Sequence, residues 1–151
     1  MKLAFVTHKE MLEQRGITAA SPVSGSMLPT VRPNRDVAVF EPVKRDLRKY
    51  DVVLYERGGQ NIMHRIVGIK EADASGQTVY LIRGDSGGAI EEVPAERIIG
   101  IMTGLYRDTR FIDCGSRRSR LYARFIVGIC PLMRLMYRAR RHFARSGGRS
   151  S

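Results

Sequence analysis

Three short segments hold the side chains able to do chemistry. Ser24-Gly25-Ser26-Met27-Leu28-Pro29-Thr30 places two serine hydroxyls in a segment of small residues closed by proline, where a sharp turn can hold one of them in the open. Met63-His64-Arg65-Ile66-Val67-Gly68-Ile69 carries a histidine with apolar residues at alternate positions. Its imidazole, with an ordinary pKa of about 6.5, is suited to take a proton from a serine near neutral pH. Arg83-Gly84-Asp85-Ser86-Gly87-Gly88 adds a carboxylate in a glycine-rich turn. Hydroxyl, imidazole and carboxylate together are the parts of nucleophilic acyl transfer: one of the two serines attacks, His64 takes the proton, and Asp85 fixes the imidazole tautomer. Glu91 and Glu92 are alternative carboxylates for that third role. Each segment also has an ordinary structural reading, as a turn serine, a strand histidine and a turn-capping aspartate.

The elements that must position these groups follow from residue patterning. Lys9 to Arg15, followed by Gly16, reads as a short helix with a glycine stop. Between Asp36 and Met102 the pattern changes to β-branched runs at Val37–Phe40, Val52–Tyr55, Ile62–Ile69, Val79–Ile82 and Ile98–Ile101. Turn residues separate them at Gly58-Gly59, Ser75-Gly76 and Gly84 to Gly88. This spacing predicts a mainly β, antiparallel and barrel-like body that ends near residue 106.

Residues 107 to 151 form a basic tail. They hold 12 arginines against Asp108 and Asp113, whereas residues 1 to 106 hold 14 Lys+Arg against 13 Asp+Glu. At about 100° per residue, Arg117, Arg120, Arg124, Arg134, Arg138, Arg141 and Arg145 share one arc, opposite Leu121, Tyr122, Phe125, Ile126, Ile129 and Leu132. Pro131 is expected to kink or divide this helix.

Two readings of the tail stand side by side. Phe125, Ile126 and their neighbours enter an anionic membrane surface while Arg120, Arg124, Arg134, Arg138 and Arg141 meet its headgroups, or the apolar face packs on the β body. Nucleic acid is disfavoured as a partner, because the sequence contains no helix-turn-helix or zinc module.

Composition narrows the rest. The chain has 151 residues, 43% hydrophobic and 27% charged, which fits one folded domain with an appendage and excludes collagen-like and disordered classes. Cys114 and Cys130 form no Cys-x-x-Cys pair, so neither a structural metal nor a cofactor is expected, and both thiols suit a reducing compartment. Near the start the longest apolar run is Leu3 to Val6, so a cytoplasmic location or one at the membrane periphery is expected.

The order of the three segments gives a resemblance. From about Gly16 to Met102 the chain resembles type I signal peptidases and related small serine peptidases. Ser24 to Thr30 matches the nucleophile box, Lys49-Tyr50-Asp51-Val52-Val53 the strand box, and Arg83-Gly84-Asp85 the Gly-Asp box. His64-Arg65-Ile66 is similar to the form found in the endoplasmic reticulum and in archaea, which uses histidine where the bacterial form uses lysine.

The resemblance implies a serine endopeptidase acting on peptide or precursor-protein substrates. Ser26 is its nucleophile, His64 its base, Asp85 its orienting carboxylate, and Ser24 with the Ser26 N–H its oxyanion donors. The chain departs from the family in having no apolar anchor stretch ahead of Ser26 and Ser86-Gly87-Gly88 in place of Asn after Gly-Asp. The alternative is a non-catalytic module of the same fold that binds anionic membrane or nucleic acid through the arginines.

Overall fold

A computed structural model of the chain describes residues 7–70 and 76–146, with side chains followed as far as Leu132. The expected basic residues Arg134, Arg138 and Arg141 lie beyond that point, outside the described side chains. The chain is mainly β, with a short N-terminal helix and a long C-terminal one. Helix α1 is His8–Arg15. The strands are β1 Thr18–Ala20, β2 Asp36–Glu41, β3 Val52–Arg57, β4 Gln60–Lys70, β5 Val79–Arg83, β6 Glu91–Pro94, β7 Ile98–Arg107 and β8 Arg110–Asp113. Helix α2 is Arg117–Ser146.

Helix α1 is defined at both ends by its sequence. The Thr7 hydroxyl accepts from the Glu10 N–H while the Glu10 carboxylate accepts from the Thr7 N–H, and Gly16 closes the helix at φ 68°. Its one buried side chain, Leu12, reaches the core.

The strands form one antiparallel sheet in the order β1-β2-β7-β3-β4-β5-β6, with β8 also paired to β7. β3 lies centrally and is buried on both faces. Val52 and Leu54 join Leu12, Met27, Phe40 and Met63 on one side, while Val53 and Tyr55 join Ile66, Ile82 and Val93 on the other. Each large apolar side chain fully buried in this way contributes about 1.5–3 kcal/mol. Strand alternation carries a second consequence on β4: His64 pairs with Val53 and shares its face, whereas Arg65 points through to the opposite side.

The body extends further along the chain than its β-branched runs indicate. β7 continues to Arg107 and turns back through β8, so a division at residue 106 falls inside a paired hairpin. Arg107 is itself a body residue, ion-paired at 2.7 Å to the fully buried Asp36. Burial opposes ionisation of that carboxyl, but the guanidinium and the Arg32 N–H outweigh it and hold its pKa below the ordinary value. The expected division of the tail at Pro131 is not found either. α2 runs through that position, where proline removes a single backbone donor.

α2 touches the body through Ala123, Ile126 and Cys130, spaced as one helical face and all buried. Ile126 therefore serves packing in this fold. Leu121, Phe125 and Leu132, on the other part of the expected apolar arc, are exposed.

Asp36 and Arg107 give the fold a direct test. Arg107→Ala strands a fully buried carboxylate and is expected to lower unfolding free energy by about 3 kcal/mol in urea titration. Asp36→Asn in the same background should restore part of that loss.

Candidate active site

Ser26 lies in a single 3-10 turn, Gly25–Met27, directly before the sheet begins in earnest. Met27 is the anchor of this turn, fully buried in the core, which leaves Ser26 half-buried and Ser24 exposed. The Ser24 hydroxyl donates to the Ser26 hydroxyl at 3.2 Å. The backbone is held equally firmly, because both the N–H and the hydroxyl of Ser86 donate to the Ser26 carbonyl at 3.0 Å. The serine that follows Gly-Asp thus fixes the Ser24–Thr30 segment.

His64 faces this segment across Gly84. A Cβ placed on Gly84 would lie 2.5 Å from the Ser26 carbonyl oxygen and 3.2 Å from His64 Nε2. Only a residue with no side chain lets the two approach, which is a steric reason for glycine independent of backbone angle. Among the described residues the Ser26 hydroxyl makes no hydrogen bond to the imidazole; Ser24 holds it.

The far side of the imidazole decides its protonation pattern. His64 Nδ1 lies 3.2 Å from the Tyr55 hydroxyl, and that hydroxyl donates at 3.1 Å to Glu91. A phenol has one proton to give. With it committed to Glu91, the Tyr55 oxygen accepts from Nδ1–H, and Nε2 is left as a free lone pair beside Gly84. Glu91 is held in turn by Arg57. Burial and the neighbouring Glu91 both push the Tyr55 pKa upward, so the phenol keeps its proton.

Asp85 does not orient the imidazole, contrary to the expectation from the resemblance. Its two oxygens accept from Arg65 Nε and Nη2, each at 2.7 Å, and the Thr30 hydroxyl donates to it as well. The carboxylate is buried and committed to a fork-shaped bidentate pair. Its influence on His64 is that of a nearby charge. Of the two alternative carboxylates, Glu91 stands behind Tyr55, while Glu92 is exposed and paired with Lys70. Tyr55 was not distinguishable in the sequence from the other apolar members of Val52–Tyr55.

Electrostatics at the imidazole are mixed. Burial lowers the pKa of His64 below its ordinary value; Glu91 and Asp85 oppose this and Arg57 reinforces it. The neutral, proton-accepting form therefore persists below pH 6.5. Among the described residues there is no cluster of His, Cys, Asp or Glu that could hold a metal ion.

No protein-family model matches this chain, and no curated protein matches it significantly.

Two measurements test that geometry without any substrate. NMR titration of His64 should give a pKa below 6.5 and nitrogen shifts of the Nδ1–H tautomer, and Glu91→Gln should lower the pKa further by removing the charge that favours imidazolium. Gly84→Ala should cost about 1–3 kcal/mol of stability through the clash at Ser26 and His64, read by thermal or urea unfolding.

Proposed function

We propose that this chain is a serine endopeptidase of the signal-peptidase type that cleaves short unstructured segments of precursor proteins. The observation that carries the reading is the free Nε2 of His64, its tautomer set by Tyr55 and Glu91, beside the same Gly84 position that the Ser26 carbonyl approaches. The ordered likeness of Ser24–Thr30, Lys49–Val53 and Arg83–Asp85 to the boxes of that family supports it.

The chemistry follows from the groups present. Ser26 Oγ attacks the scissile carbonyl carbon as its proton passes to His64 Nε2. The imidazolium is stabilised through Nδ1–H on the Tyr55 oxygen, with the Glu91 charge behind it. Negative charge on the former carbonyl oxygen is met by the Ser24 hydroxyl and the Ser26 N–H, and one such donor is worth about 100-fold to 1,000-fold in rate. The C–N bond then breaks, Nε2 returns the proton to the leaving amine, and the acyl group stays on Ser26. Water, deprotonated by the same Nε2, releases it.

On this reading the residues before the cut are small and uncharged. Among the described residues no helix is long and apolar enough to cross a membrane, and we place the enzyme in the cytoplasm or at the periphery of a membrane.

Cleavage of a mixed precursor-peptide pool, read by mass spectrometry, tests the proposal. Ser26→Ala and His64→Ala should each abolish the cuts while the proteins stay folded. Identical products from all three would end the reading in favour of a non-catalytic module. The pH profile of kcat/KM should rise through an inflection below 6.5, since the active base is neutral imidazole and its pKa is lowered. Tyr55→Phe should cost about 10-fold or more, part of what a positioned base contributes.

A further inference from the structure

Two features meet at the N-terminal half of α2. The first is an apolar ridge: Leu121, Phe125 and Leu132 are exposed by 64%, 60% and 60%. They lie roughly 150° round the helix from the docked Ala123, Ile126 and Cys130. Packing on the body therefore does not account for them. Arg117 and Arg124 flank the ridge on one side and Arg118 on the other, by their helical spacing.

The second feature is a cavity of about 910 Å³ between this end of α2 and the sheet. Its lining includes Lys44, Arg48, Lys49, Arg118, Arg120 and Arg124, together with the carboxylates of Glu41 and Asp113. Among the described residues none of the six is ion-paired, in contrast to Arg45, Arg65 and Arg107, which line the same cavity but are committed to Asp51, Asp85 and Asp36. Ile101, Met102, Leu105 and Ile112 contribute apolar lining. Six unpaired cations against two unpaired carboxylates, Glu41 and Asp113, leave the concavity net positive and favour entry of an anion, and the apolar lining favours one that carries hydrocarbon.

We propose that this surface docks the chain on an anionic phospholipid membrane. The ridge enters the acyl layer and one headgroup phosphate occupies the cationic cavity. Arg118 and Arg124 belong to both features, so the two form a single surface. A nucleic acid would satisfy the cations but leave Leu121, Phe125 and Leu132 in water, which is why lipid is favoured. The inference stands apart from the peptidase reading.

Co-sedimentation of the full chain with vesicles tests it. The chain should pellet with phosphatidylcholine vesicles containing about 30% phosphatidylglycerol, more weakly as salt rises from about 0.1 to about 0.5 M, and hardly at all with phosphatidylcholine alone. Leu121→Ser with Phe125→Ser should reduce partitioning about tenfold or more; both side chains are exposed, so circular dichroism should be unchanged. Lys44→Gln and Arg48→Gln should each cost about fivefold, and Arg97→Gln, outside the cavity, nothing. Equal binding to neutral vesicles, equal loss from Arg97→Gln, or an intact ridge requirement for a DNA oligonucleotide but none for vesicles would overturn the proposal.

Discussion

The buried pair between Arg65 and Asp85 is the constraint on which the rest of the structure depends. Arg65 leaves β4 on the face opposite His64 and spends its fork on both oxygens of Asp85, with Nη1 donating to the Tyr50 carbonyl at 2.8 Å. Thr30 donates to the same carboxylate, so β4, the loop ahead of β3, the turn after β5 and the Ser24–Thr30 segment are tied at one point. Such a pair is weak evidence for stability, because desolvation offsets much of the Coulomb gain, but losing either partner would leave a buried charge uncompensated. Its contribution is to register. With Asp85 fixed, Gly84 must lie between Ser26 and His64, and Ser86 must reach the Ser26 carbonyl.

The division of labour among carboxylates follows from that register. A catalytic imidazole needs an acceptor at Nδ1 that leaves Nε2 free, and a carboxylate is the usual one. Here the carboxylate of the Gly-Asp turn, Asp85, is already bidentate to arginine, and the acceptor is a phenol whose own proton is committed to Glu91. A neutral hydroxyl interposed between charge and imidazole fixes the tautomer as well as a carboxylate would, while transmitting less of the charge. The lowered pKa of His64 is consistent with this: burial outweighs the two carboxylates that favour imidazolium.

The sequence made part of this legible. Runs of β-branched residues marked β2, β3, β4, β5 and the start of β7, since a sheet buried on both faces needs them. β1, β6 and β8 escape because Thr18–Ala20, Glu91–Pro94 and Arg110–Asp113 are edge strands of only three or four residues, too short for an alternating run to show in sequence. Ser26, His64 and Asp85 stand out by type and setting; the first two meet at Gly84, whereas Asp85 turns to Arg65. The place of Tyr55 did not stand out, because it depends on a diagonal between β3 and β4 and on the reach of β6, none of which has a one-dimensional signature. The amphipathic pattern of the tail is legible in the sequence, but a helical projection cannot say which edge of an apolar arc docks.

That last ambiguity has a physical resolution in side-chain size. The docked face of α2 is Ala123, Ile126 and Cys130, two of them small, and Cys130 approaches the Asp85 carbonyl at 3.7 Å. Close approach of a helix to a sheet turn selects small residues at the crossing, and a leucine or phenylalanine there would hold the helix off the turn. The larger apolar side chains are therefore displaced to the opposite edge by the same contact that seats the helix beside the Asp85 turn. Docking of α2 and exposure of its ridge are two results of one packing choice. The charge distribution follows the same division. Arg65 and Arg107 are paired within the body, whereas the cations of the first turns of α2 face the cavity and solvent without acidic partners among the described residues.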